Sequence, residues 1–202
     1  VSYQELDNVV AFLTRRRARF AILYCVSEYP APARAFNLGS IDALRARYPG
    51  VHIGFSDHSV GNHDIPLAAA KLGARIIEKH FSLSRDFWGS DHKVSLTPSE
   101  MKDLVARLRA GEHTRAPTKA YYGRKNTELA GATNRFRPYF HKALVAARRI
   151  PHGARFTHDM LYAMRPLALA GGIPSAHVHE VLGRRASRTL RKYEPIKEDA
   201  YV

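Results

Sequence analysis

Three short polar segments stand out by residue type and spacing: Ser56-Asp57-His58-Ser59, Glu78-Lys79-His80-Phe81 and Gly89-Ser90-Asp91-His92-Lys93. His58 and His80 each follow a short apolar run, Val51-His52-Ile53-Gly54-Phe55 and Ala74-Arg75-Ile76-Ile77, that reads as a β-strand. Neighbouring parallel strands lie about 4.8 Å apart. At matching depths on two such strands, both imidazoles reach one metal ion. Two histidines leave coordination positions open for water or a substrate oxygen, which is the donor set of a Lewis-acid site. The competing reading is a pair of loop histidines satisfied by hydrogen bonds. Lys79 offers a point charge to a phosphate or carboxylate, or else a structural role beside Glu78. Cys25 ends an apolar run and is expected in the core rather than as a nucleophile. His52, His63, His141 and the remaining histidines follow no spacing logic and are assigned no role.

The elements that must position these groups are legible in the same stretch. Ser2 and Glu5 have capping-box spacing, and Leu6, Val9, Val10 and Leu13 recur at helical intervals. Residues 20–26 form a continuous apolar run, read as a buried strand. Leu38, Ile41, Leu44 and Tyr48 mark a second helix, which Pro49-Gly50 stops. After the strand at residues 51–55 comes an alanine-rich helix over 65–72, closed by Gly73, and then the strand at 74–77. Thr97-Pro98-Ser99-Glu100 is a helix start, and Met101, Leu104, Val105 and Leu108 give that helix its apolar stripe. Strands alternating with helices imply βα units and a parallel sheet. Function in such folds collects where strands end, and the first strand ends in Ser27-Glu28-Tyr29-Pro30.

The rhythm is lost over residues 111–140, which are rich in glycine, proline and polar groups and read as a linker with one short helix. From His141 onward, runs at 143–146 and 160–164 are split by turn signals at 151–153 and 171–174, the pattern of a small strand-and-turn-rich second domain. The chain has 202 residues, 45% hydrophobic and 25% charged, which excludes disorder, collagen-like repeats and a disulfide scaffold. A single cysteine cannot form an internal bridge, so a cytoplasmic home is expected. No apolar run approaches the ~18 residues of a membrane span. The chain opens at Val1 directly on a helical pattern, and a piece of a longer protein is expected. The net charge of +14 favours anionic partners: nucleic acid, an acidic membrane surface, or phosphorylated and carboxylated substrates. No nucleic-acid motif accompanies the charge.

Four segments in this order, Cys25-Val26-Ser27-Glu28-Tyr29-Pro30, Gly54-Phe55-Ser56-Asp57-His58, Ile77-Glu78-Lys79-His80-Phe81 and Gly89-Ser90-Asp91-His92-Lys93, resemble the sialic acid synthase family. That family comprises the N-acetylneuraminate, legionaminate and pseudaminate synthases and their spore-coat polysaccharide relatives. Residues 141–150 with Gly153, Met164-Arg165-Pro166, Gly171-Gly172-Ile173-Pro174 and Leu182-Gly183 are similar to its C-terminal antifreeze-like (SAF) domain.

The resemblance implies an α/β chain: the last three βα units of a TIM (β/α)8 barrel over residues 1–110, a linker over 111–140, and the antifreeze-like domain over 141–202. A whole barrel needs eight strands and about 250 residues, so the chain corresponds to the C-terminal part. The implied reaction condenses phosphoenolpyruvate with an N-acylated amino sugar of the N-acetylmannosamine type. C3 of phosphoenolpyruvate attacks the sugar aldehyde, water adds at C2, and phosphate leaves by C–O cleavage. His58 and His80 match the ligands of a divalent metal, most often Mn2+, with Mg2+ or Co2+ as options. Ser56 matches a phosphoenolpyruvate-contacting serine. Ser27 falls at a further contact where some members have asparagine. Tyr29 matches a sugar-contacting tyrosine. Asp91 matches an aspartate holding a sugar hydroxyl and stands as the catalytic candidate. Ser90 stands where members often have proline. Arg165 matches an arginine that reaches the partner subunit's active site in a domain-swapped homodimer. Neither a nucleic-acid partner nor a membrane is implied. Two other readings compete: a non-catalytic saccharide-binding module built on the antifreeze-like domain, and a basic nucleic-acid binder whose affinity would fall steeply with salt.

Overall fold

In the computed structural model, residues 1–28, 31–61, 63–123 and 137–202 are described, Arg34 by its backbone alone. The chain divides into two units, residues 1–129 and 130–202.

In the first unit, helix α1 (Tyr3–Arg15) begins where Ser2 caps it. Ser2 Oγ accepts from the Glu5 backbone N–H at 3.2 Å, and the Glu5 carboxylate accepts from the Ser2 N–H at 2.6 Å, so two otherwise orphaned donors are satisfied. Leu6 and Val10 pack on the core, whereas Val9 is exposed. Three parallel strands follow in chain order, β1 (Ala21–Cys25), β2 (His52–Asp57) and β3 (Ile77–Lys79). The registers are Cys25 opposite Ser56, Ser56 opposite Glu78, and Asp57 opposite Lys79. Side chains alternate across a sheet. One face therefore carries Ile22, Tyr24, Ile53, Phe55 and Ile77, all part of the hydrophobic cluster. The other carries Cys25, Gly54, Ser56 and Glu78. β2 is flanked on both sides and is buried from Ile53 onward, while the edge strands are partly exposed. Gly54 permits this packing, because a Cβ there would lie 2.7 Å from the Ile76 carbonyl oxygen.

Helix α2 (Gly39–Arg47) buries Ile41 and Leu44, and α3 (Asp64–Lys71) buries Ile65, Leu67, Ala68 and Ala69. With Phe36 and Phe55 edge-to-face at 6.1 Å, these form the first core. Each buried Leu, Ile or Phe side chain among them is worth about 1.5–3 kcal/mol. Helix α4 (Pro98–Arg109) opens on Thr97, whose backbone N–H donates to the Glu100 carboxylate at 2.8 Å. Of its apolar stripe only Leu104 is fully buried; Met101, Val105 and Leu108 are half-buried.

The first part of the expected linker holds the short helix read there, and it packs on the first unit. A 3-10 turn at Glu112–Arg115 and the short helix α5 (Lys119–Tyr122) pack back onto the first unit. The Leu38 N–H donates to the Tyr121 carbonyl at 2.8 Å, Lys71 Nζ to the Ala116 carbonyl at 2.9 Å, and Tyr122 OH to Asp42 at 3.1 Å. Glycine and proline content masked these contacts, because they join segments far apart in sequence. Residues 124–136 of the linker lie outside the described residues.

The second unit holds a short helix α6 (Arg137–Phe140), then β4 (Ala143–Ala146) antiparallel to β5 (Leu161–Met164). Single bridges such as Ile150 to Leu190 and Ala186 to Tyr201 close it. Its own core is Leu144, Ile150, Phe156, Val181, Leu190 and Ile196. Helices α7 (Leu167–Ala170) and α8 (Val178–Val181) are single turns. The result is the strand-and-turn-rich unit that the turn signals imply. Among the described residues no helix is long and apolar enough to cross a membrane.

Candidate functional site

The C-terminal ends of β2 and β3 bring His58 and His80 together, with ring centroids 5.1 Å apart and planes tilted by 42°. The register explains it: Ser56 and Asp57 lie opposite Glu78 and Lys79, and each histidine is the next residue along. His58 is 5% exposed and His80 half-buried. His58 Nδ1 lies 2.8 Å from the Val26 carbonyl oxygen, at the end of β1. A carbonyl only accepts, so Nδ1–H is the donor here, and in the neutral ring this leaves the lone pair on Nε2, the tautomer suited to binding a cation. The hydrogen-bonded-histidine and metal-ligand readings are thus compatible: the first orients the ring for the second.

Ser56 shares the histidine face, and its Oγ donates to Glu78 Oε1 at 2.6 Å. Ser27 is exposed just past β1, its Oγ 3.9 Å from Cys25 Sγ. Cys25 departs from the core expectation. It is exposed, with Sγ 3.8 Å from His58 Nδ1. Alternation turns Cys25 away from the helix-covered face, onto the side of the sheet that carries Ser56 and His58. Lys79 takes the structural option. Its side chain is 4% exposed and pairs with Asp57, itself fully buried, at 2.7 Å. Its charge is spent inside the sheet rather than offered to a ligand.

The loop after β3 is pinned at its base, where the Leu96 N–H donates to the His80 carbonyl at 2.8 Å and the Ser82 N–H to the Leu96 carbonyl at 3.0 Å. Within it, Ser82 Oγ and His92 Nδ1 are 2.7 Å apart, and the Ser95 hydroxyl donates to the Asp91 carbonyl at 2.7 Å. Asp91 begins a 3-10 turn (Asp91–Val94), is exposed, and accepts from the Ser90 hydroxyl at 2.9 Å. Arg165 belongs to the second unit, exposed, with its guanidinium 5.6 Å from the Phe140 ring centroid. Tyr29 lies outside the described residues. The strand ends therefore gather Ser27, Ser56, His58 and His80. They add two partners that sequence spacing did not single out, Cys25 beside His58 and Glu78 beside Ser56. A polar residue opposite a polar residue in a parallel register was the available signal for Glu78.

As a donor set, two imidazoles suit a divalent cation that retains water or substrate oxygens. They do not make the closed tetrahedral set of a structural zinc site. Among the described residues no three His, Cys, Asp or Glu side chains are grouped to hold an ion.

An α/β unit with histidines at adjacent strand ends, followed by a small β-rich unit, defines the class. Residues 1–119 match the NeuB family and residues 141–202 match the SAF domain. The chain belongs to the NeuB family. It is 34% identical to N,N'-diacetyllegionaminic acid synthase of Campylobacter jejuni over 96% of this chain and 55% of that protein. It is 31% identical to human N-acetylneuraminate-9-phosphate synthase over 98% of this chain and 52% of that one. The crystal structure of the spore coat polysaccharide biosynthesis protein SpsE of Bacillus subtilis superposes with a TM-score of 0.77 at 28% identity, over 98% of this chain and 58% of that one. The chain spans about half the length of the curated relatives it matches.

Proposed function

We propose that residues 1–110 are the last three βα units of a TIM (β/α)8 barrel, and that the protein they belong to is a nonulosonic acid synthase. The reaction joins C3 of phosphoenolpyruvate to the aldehyde carbon of an N-acylated amino sugar, adds water at C2 and releases phosphate by C–O cleavage. Membership of the NeuB family and relatives named as sialic and legionaminic acid synthases support the reaction class. The observation that carries the site assignment is the His58–His80 pair at the ends of adjacent parallel strands.

In this reading His58 and His80 hold a divalent cation, manganese first and magnesium or cobalt as alternatives. That cation supplies Lewis-acid polarisation of the aldehyde oxygen. Val26 sets the His58 tautomer through its carbonyl. Ser56 binds phosphoenolpyruvate through its hydroxyl, whose single proton turns from Glu78 to the substrate on binding. Ser27 is a second contact to the same substrate. Asp91, presented on its pinned loop, holds a sugar hydroxyl at the reacting end, and Tyr29 contacts the sugar. Arg165 serves the partner subunit's site in a homodimer that exchanges antifreeze-like domains, and the protein works in the cytoplasm.

Manganese titration followed by electron paramagnetic resonance tests the site. Binding that disappears in His58→Ala and in His80→Ala is expected. Equal binding in the parent and both variants overturns the metal assignment. Phosphate release from phosphoenolpyruvate and N-acetylmannosamine, lost in His58→Ala, is the matching test of the reaction.

A further inference from the structure

We infer that Asp57 and Lys79 are positioning residues, a buried cross-strand ion pair that sets the spacing of His58 and His80. The inference rests on the reading of those histidines as a cation site. Each charged residue immediately precedes one histidine, and the two charged residues are register partners. Strand alternation puts the ion pair on the helix side of the sheet and the histidines on the opposite side. β3 ends at Lys79, so this pair is the last rung of the β2–β3 ladder before the histidines.

The contacts over-determine that rung. Lys79 Nζ lies 2.7 Å from Asp57 Oδ2 and 3.3 Å from Ser59 Oγ, and it also donates to the Ser59 carbonyl oxygen. All three ammonium donors have acceptors. Asp57 Oδ1 accepts from the Ser59 N–H at 2.8 Å and Oδ2 from the Ser59 hydroxyl at 2.9 Å. The backbone on both sides of His58 is thereby tied to the residue before His80. The side chains of Lys79 and Asp57 are 4% and 0% exposed. A buried ion pair is seldom more stabilising than apolar residues of the same volume, and its best-attested use is to specify register. Register is what this site depends on, since a slip of one residue would carry His80 to the opposite face.

The test is manganese titration by electron paramagnetic resonance on the full chain, with thermal unfolding measured alongside. The variants are the double Asp57→Asn/Lys79→Met, which leaves no unpaired buried charge, and Ser59→Ala, which removes one arm of the network. The double variant is expected to melt within a few degrees of the parent yet bind manganese about 10- to 100-fold more weakly, the usual loss when groups behind metal ligands are removed. Ser59→Ala is expected to lose about threefold, the smaller end of the effects that removal of a single hydrogen bond produces. A folded double variant that binds within twofold of the parent overturns the inference while leaving the cation site standing. If the double variant does not fold, Ser59→Ala decides, and unchanged affinity there overturns it. A parent chain that binds no manganese, or binds it equally in His58→Ala, removes the cation site and this inference with it.

Discussion

Ser56 on β2 and Glu78 on β3 face each other as register partners, and the serine hydroxyl donates to the glutamate carboxylate at 2.6 Å. The serine proposed to meet phosphoenolpyruvate therefore rests on a carboxylate of the next strand, and must turn its one proton away from it to donate to the substrate. An anion brought to this serine meets the negative charge of Glu78 unless a cation lies between them. That gives the pair of histidines beside it an electrostatic reason as well as a chemical one. Ser56→Ala is expected to weaken phosphoenolpyruvate binding about tenfold, the effect of one hydrogen bond to a charged group. Calorimetric titration in the presence of manganese checks it.

His58→Ala removes a ligand and a buried imidazole together. The expected outcome is loss of manganese binding with a stability loss of about 1–2 kcal/mol, because the Val26 carbonyl loses its donor. Urea denaturation beside the metal titration separates the two effects.

Gly54→Ala is expected to destabilise the first unit by about 1–3 kcal/mol, the range for forcing an added methyl group into a packed interior. The new Cβ would meet the Ile76 carbonyl at 2.7 Å, and a carbonyl held by the Phe55 N–H cannot swing aside as a flexible side chain does. A urea midpoint equal to that of the parent would contradict the packing described for β2.

Glu100 has its carboxyl group held down to about 2, first by the Thr97 backbone N–H and then by the Arg85 guanidinium. A depressed folded-state value means that the stabilisation is present above the ordinary glutamate range and is lost as pH falls from about 4.5 towards 2. The carboxylate is about one-third exposed, so solvent screening limits its worth to about 1 kcal/mol. Glu100→Gln should therefore lower stability at pH 7 and match the parent near pH 2. Chemical denaturation at both pH values measures the difference.

Local signals in the chain determined much of this protein. Helix starts at Ser2 and Thr97 were readable because a capping box lies within four residues. The strands were readable because apolar runs alternate with helical spacing, and the polar residues after each run marked where chemistry would gather. Pattern and spacing set His58 and His80 each just past a strand, and the parallel register of those strands set them side by side. Their family resemblance came from the same short motifs.

Tertiary structure decided what those groups touch. Lys79 had equal claims as an anion site or a structural charge, and only the register that puts Asp57 opposite it resolved the choice. Cys25 looked like a core residue until the register set it beside Ser56, on the face away from the helices. Residues 112–122 had the composition of a linker, yet Leu38, Asp42 and Lys71 supply partners for them from more than forty residues away. Periodicity encodes which face of an element is apolar. Which polar residue meets which across strands depends on register and chain order, and these arise only when segments distant in sequence pack together.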